Sequence, residues 1–293
     1  MEQKRMKLSI YFFLCFIGGF LLKVHAQMPV PDVNELVSAE YNMSVLAANK
    51  GLFTAFMAYS DENTVLFVPS AVKAIDYLDN KPKLPDLMRW KPTYAKIAKS
   101  NEWGFTTGPI NWQNIGDTKK YGEYLSIWKR DRKGVWKIAF RANTEHDKPG
   151  NLPAETQFEN PHDGNFQKLR SKARIKQRED IVASTDQLFA TILKADNRTA
   201  FKEFLTADAR IYLPNYLPIT KLDRIIPFLE EKQIVIESEY KEVNRAYSGE
   251  LAYSSGQATI HIGLDIINCA YMRIWELQDD KTWKVSVDMY IKQ

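Results

Sequence analysis

Apolar residues fall at helical spacing in two stretches of this chain, and at strand spacing in the stretches that follow each of them. In the later half, Ile181, Leu188, Phe189, Ile192 and Leu193 share one helical stripe. Asn197 is placed to cap a second short helix carrying Phe201, Phe204 and Leu205. Ala209 to Leu213 reads as a strand stopped by Pro214. Thr220-Lys221-Leu222-Asp223 fits a capping box before another short apolar helix, which Pro227 weakens. Strand-like runs follow over 233–243, 250–262, 265–278 and 282–291. The earlier half has the same plan, with helices over 33–48 and 50–59, a short strand over 64–68, and strands over 87–98, 102–112, 120–130 and 134–143. Runs of helices followed by runs of strands predict an α+β fold, with antiparallel sheets and the helices on one face.

The two halves also match in sequence. Thr54-Ala55-Phe56 recurs as Thr199-Ala200-Phe201, and Val65 to Pro69 parallels Arg210 to Pro214 at the same offset. Gly104 to Gly108 resembles Ala252 to Gly256. Tyr124 to Trp128 parallels Tyr271 to Trp275, and Trp136-Lys137-Ile138 parallels Trp283-Lys284-Val285. Matches in the same order with a nearly constant offset predict two copies of one domain. The expected organisation is a leader over 1–26, a first domain over 27–145, a linker over 146–177 and a second domain over 178–293. The linker rests on Pro149, Gly150, Pro153, Pro161 and Gly164 amid polar residues. The alternating Lys168, Arg170, Lys172, Arg174, Lys176 and Arg178 read as a solvated linker and helix start rather than a phosphate-binding strip.

The leader changes the charge balance. Lys4, Arg5 and Lys7 precede an apolar run from Leu8 to Leu22, and Val24-His25-Ala26 offers small residues where a signal peptidase reads. The run is short of the roughly 20 apolar residues a membrane span needs, so the protein is expected to be exported, periplasmic or secreted, without a stable span after cleavage. The chain has 40 basic and 36 acidic side chains. Four of the basic and one of the acidic ones lie in the leader, which leaves 36 against 35. A near-neutral chain has no global field for nucleic acid, and none is expected as a partner. Cys15 leaves with the leader, so no disulfide is available, and Cys269, set among apolar residues, reads as a buried thiol. An apolar content of 45% excludes wholesale disorder.

Several motifs together carry a family resemblance. They are Lys50-Gly51 before Ala55-Phe56, Trp90-x-Pro92, Trp103-Gly104-Phe105-Thr106-x-Gly108, Tyr124-x-x-Ile127-Trp128-Lys129-Arg130, and Gly134-x-Trp136-Lys137. In these the chain resembles the nuclear-transport-factor-2-like superfamily, which includes ketosteroid isomerases and SnoaL-like polyketide cyclases, and within it an exported bacterial group. The resemblance implies two tandem cone-like domains, each a curved sheet wrapped around N-terminal helices and an apolar pocket. It also implies that the two copies can pair through their sheets as an intramolecular pseudo-dimer. Because this fold hosts enzymes, binders and adaptors alike, function must be argued from the site.

Isomerase chemistry in this family needs a carboxylate base on the short strand just before its Pro, and a Tyr hydroxyl from the first helix. The base position holds Val68 in the first copy and Leu213 in the second. The Tyr position falls to Ser44 and Phe189. Neither copy meets the requirement. Another acid is Asp288 on the last strand, where the first copy has Arg141. Tyr271, Arg273 and Trp275 share a strand face, and Tyr124, Ser126 and Trp128 share the matching one. If those faces line the pocket, Asp288 and Arg273 form a polar centre. Both alternating sets contain apolar residues, so the inward face stays open. Trp103 and Trp112 have no counterparts in the second copy and are the better pocket candidates, whereas Trp136 and Trp283 read as core.

Other chemistry is thin. His146, Glu155, Glu159 and His162 fit no metal-ligand spacing and read as solvated linker side chains, and His261 with Asp265 reads as a turn. No phosphate loop or nucleophile elbow is present, so neither metal nor cofactor is expected. The readings that remain are three. The first is an exported, non-catalytic protein binding a small apolar or mixed ligand through Trp103, Trp112, Tyr124, Trp128, Tyr271, Arg273 and Trp275. The second is an isomerase, dehydratase or cyclase using Asp288, and the third is an interaction module with a filled cone.

Overall fold

The computed structural model describes residues 30–150, 155–167, 169 and 171–293. The leader over 1–26 lies outside the described residues. The first domain opens with α1 (Val33–Lys50) and α2 (Leu52–Tyr59). Asp32 caps α1 by accepting from the Asn34 amide, and Gly51 turns the chain at φ 86°, a left-handed value that favours glycine. Next come β1 (Val65–Phe67), β2 (Ala71–Lys73), α3 (Ala74–Asp79), β3 (Leu87–Trp90), β4 (Tyr94–Ile97), β5 (Trp103–Gln113), β6 (Lys120–Arg130) and β7 (Trp136–His146). A short β8 (Gln157–Glu159) precedes the second domain. That domain comprises α4 (Lys172–Ala195), α5 (Asn197–Phe204), β9 (Leu205–Tyr212), β10 (Ile219–Thr220), α6 (Leu222–Glu231), β11 (Ile234–Arg245), β12 (Leu251–Ile262), β13 (Asp265–Leu277) and β14 (Trp283–Lys292).

Each domain is a cone. The first sheet runs β2-β1-β7-β6-β5-β4-β8 with β3 also paired to β5, and the second runs β10-β9-β14-β13-β12-β11. In both, a long antiparallel meander is closed at one edge by a short strand lying parallel to the last one, β1 on β7 and β9 on β14. The last strands carry a bulge at the same place, at Ala139 opposite the Ile127–Trp128 step and at Ser286 opposite the Ile274–Trp275 step. A bulge bends a strand and tightens its twist, which helps a sheet curl around a helix.

Three details depart from the sequence expectations. The single strand over 87–98 is two strands, β3 and β4, because Pro92 lacks the amide that would continue the ladder. Both pieces still pair with β5, on either side of Gly108. The pair β2 and α3 was not foreseen. The described residues of 146–177 also form more than a bare linker. β7 runs to His146, β8 pairs parallel to β4, and α4 begins at Lys172.

Strand alternation sorts the core into layers. Tyr124 and Trp128 face α1 within the first cone, and Tyr271 and Trp275 face α4 within the second. The opposite faces form a third apolar layer drawn from both sheets. It includes Phe105, Leu125, Ile127 and Phe140 from the first and Met272, Ile274, Val287 and Met289 from the second. Phe140 meets Tyr253 across it with ring centroids 4.5 Å apart. Around its edge Lys96 pairs with Glu276 at 2.8 Å, and the Lys99 amide donates to Glu250 at 2.6 Å. Among the described residues no helix is long and apolar enough to cross a membrane.

Candidate functional site

The first helix of each cone buries one acid inside its apolar stripe. In α1 the buried positions are Val33, Leu36, Glu40, Met43 and Ala47. In α4 the run Val182, Asp186, Phe189 and Leu193 is buried at the same spacing. Glu40 and Asp186 therefore occupy equivalent places, and neither exposes any surface. A buried carboxylate must be paired and hydrogen-bonded, and each cone supplies an arginine for this from its sheet.

In the first cone Glu40 takes four donors. Trp90 Nε1 and Arg141 Nη1 (2.8 Å) reach Oε1, and Thr106 Oγ1 (2.6 Å) and Trp128 Nε1 (2.9 Å) reach Oε2. Arg141, on β7, lies between the Trp90 and Tyr124 rings, 4.5 Å from each centroid, and also donates to Ser126 Oγ at 2.6 Å. Its Nη2 is buried and finds no partner among the described residues.

In the second cone the arginine sits on the neighbouring strand. Arg273 on β13 pairs in register with Asp288 on β14, as Ser126 pairs with Arg141 in the first cone. Arg273 Nη1 donates to Asp186 at 2.7 Å and its Nε to Asp288 at 3.1 Å. Its Nη2 reaches Ser238 at 3.2 Å and the Tyr290 hydroxyl at 3.3 Å, and that hydroxyl donates to Asp288 at 2.8 Å. Tyr271 donates to Asp186, and Phe189 covers the guanidinium at 4.5 Å. Arg273, Asp186, Asp288 and Tyr271 are all 0% exposed. Burial raises the Asp288 carboxyl above its ordinary range and Asp186 adds to this, against the pull of Arg273 and the Tyr290 hydroxyl.

The first of these two polar centres borders a cavity. A half-open cavity of about 650 Å³ in the first cone reaches Arg141. Its walls include Leu52 and Phe56 of α2, Leu78 of α3, Met88 of β3 and Trp112 of β5. Asn143 follows Arg141 on the same face of β7. The mouth carries Lys120, paired with Glu145 at 3.0 Å, and is bordered by Pro214, Asn215 and Ile291 of the second domain. The Asn215 amide fixes this border by donating to the Glu145 carbonyl at 2.8 Å.

The predicted residues separate accordingly. Trp112 lines the cavity. Tyr124 and Trp128 form the packed layer around Glu40 and Arg141, facing inward but buried. Trp103 is not in the cone interior: it lies on the alternate face of β5, in the layer between the sheets. Tyr271, Arg273, Trp275 and Asp288 face inward as one set, yet they are sealed by their own packing, so a substrate has no path to Asp288.

The position expected to supply a Tyr in α1 is also corrected. The buried stripe aligns Met43, not Ser44, with Phe189, and the Ser44 hydroxyl donates to the Trp90 carbonyl at 2.8 Å. Val68, at the base position, lines the cavity as an apolar residue. His146 is not a solvated linker side chain. It is 6% exposed at the end of β7, with Glu123 3.7 Å away. Burial pulls its imidazole down, but Glu123 and the Asp147 carbonyl outweigh this and raise it. Burial pushes the Cys269 thiol up to about 12, so it is an unreactive core group.

Glu40, Asp186 and Arg141's second amino group were the functional features missed from sequence. Their signal was an acid at the centre of an apolar helical stripe, which a solvated helix face would not place there. Among the described residues no group of three His, Cys, Asp or Glu side chains is placed to hold a metal ion.

Several solved structures are similar to part of this chain. An NTF2-like protein from Cytophaga hutchinsonii is 17% identical over 39% of this chain and 97% of its own, with a TM-score of 0.33. The chain is similar to NTF2-like proteins. A ketosteroid isomerase-like protein from Erwinia carotovora atroseptica is 17% identical over 39% of this chain and 96% of its own, with a TM-score of 0.32. An LEH-like epoxide hydrolase from M. tuberculosis is 12% identical over 41% of this chain and 81% of its own, at 0.31. No family model matches the chain, and no curated protein does. Each of these likenesses spans less than half of the chain and carries no activity to it.

Proposed function

We propose that this is an exported, non-catalytic protein that binds one small, largely apolar molecule in its first cone and uses its second cone as a scaffold. Export rests on the basic, apolar and small-residue pattern of residues 1–26. The observation carrying the binding reading is the asymmetry between the cones. The polar centre of the first borders a cavity of about 650 Å³, within the range of small-molecule sites, while the polar centre of the second is fully buried. Turnover is disfavoured by the groups available. Val68 cannot take a proton, Glu40 is held by four donors, and Asp288 is sealed.

Native mass spectrometry of the protein purified from its own host tests this reading. One small molecule retained per chain is the expected result. An empty chain whose melting temperature is unmoved by a broad set of apolar compounds would overturn it.

A further inference from the structure

We infer that the first cone recognises a carboxylic acid with an apolar body, the acid group resting on Arg141; this builds on the binding reading above. The protein itself supplies the comparison. In the second cone one arginine serves two carboxylates, Asp186 from the helix and Asp288 from the neighbouring strand. In the first cone Arg141 has the helix acid, Glu40, at 2.8 Å, and no second carboxylate among the described residues. At the cross-strand position where the second cone pairs Arg273 with Asp288, the first pairs Arg141 with Ser126, which accepts but carries no charge.

The unmatched donor belongs to a residue that lines the cavity. Arg141 is 3% exposed and borders the cavity, its guanidinium is held between two aromatic rings, and its Nη2 is buried without a partner. A buried unsatisfied donor on a charged group costs free energy that an acceptor would recover, and a carboxylate recovers most. Glu40 need not release Arg141 for this, because three neutral donors also hold it. Of the charges on the lining, Lys120 is paired with Glu145, and Lys292 adds a further cation beside Arg141. The rest of the wall, Leu52, Phe56, Leu78, Met88 and Trp112, fits an apolar body.

The test is calorimetric titration of the whole protein with matched pairs of probes, decanoate against methyl decanoate and 1-naphthoate against 1-naphthalenemethanol. The acid of at least one pair is expected to bind about tenfold or more tightly than its neutral partner. Arg141→Lys keeps a cation beside Glu40 but removes the forked donor, and it is expected to erase most of that preference. Met88→Trp fills the cavity and should abolish binding of both partners while leaving the Arg141 centre in place. Equal binding of acid and neutral probe, displaced by Met88→Trp, would overturn acid recognition while leaving the binding reading intact. No binding by either member of either pair would overturn acid recognition as well, and the binding reading would then stand or fall on the mass measurement above.

Discussion

Arg273 is a residue whose value depends on what surrounds it. It neutralises two carboxylates in a sealed site, so replacing it by Met would strand both. Breaking a buried pair by removing one partner costs about 3–5 kcal/mol, and Arg273→Met is expected to cost at least that in urea unfolding. Asp288→Asn removes one of the two acids and leaves Arg273 its bond to Asp186, so its cost should be smaller. Its pH dependence is the sharper readout. The folded carboxyl of Asp288 is raised above its unfolded value, chiefly by burial. The stability it lends is full below the ordinary carboxylate range and is lost as pH rises through the raised value, because the unfolded chain releases the proton first. As pH rises above the ordinary carboxylate range the wild-type stability should therefore fall relative to that of Asp288→Asn. A constant difference between the two would show that Asp288 ionises normally inside the cone.

At the level of elements, most of the chain was legible because its strands and helices are long and periodic. Each of the meander strands β5, β6, β7, β11, β12, β13 and β14 appears where apolar alternation places it. What escaped notice was short or depended on a distant neighbour. β2 has three residues and α3 has six, too few for a period to show. The inward face of β6 and β13 could not be chosen because each face meets an apolar layer, one inside its cone and one between the sheets. The break between β3 and β4 has a partner in the opposing strand. A Cβ on Gly108 would lie 2.3 Å from the Lys91 carbonyl oxygen and 2.9 Å from the Thr93 nitrogen, both backbone atoms that cannot swing aside. Gly108→Ala is thus expected to destabilise the first domain by about 1–3 kcal/mol. Thermal unfolding checks this, and an unchanged midpoint would mean that the crossing at Pro92 yields freely.

The whole molecule is joined through the apolar layer between its sheets, so damage there should be felt by both halves. Ile274 is fully buried in that layer, and Ile274→Asp would place an unpaired charge within it. A loss of about 3–5 kcal/mol is expected, against less than about 0.5 kcal/mol for Val235→Asp on the exposed side of β11. Denaturant midpoints compare the two, and equal small shifts would show that the layer does not hold the halves together. The same arrangement has a consequence for descent. When two identical chains meet around a twofold axis, every substitution is made twice, and whatever closes one cone closes the other. Two cones within one polypeptide are free of that constraint. One copy carries Asp288 where the other carries Arg141, and Arg273 where the other carries Ser126. A chain with two such cones is thereby free to keep one half for rigidity, and under the binding reading saturation would come at a single equivalent of ligand for every pair of cones.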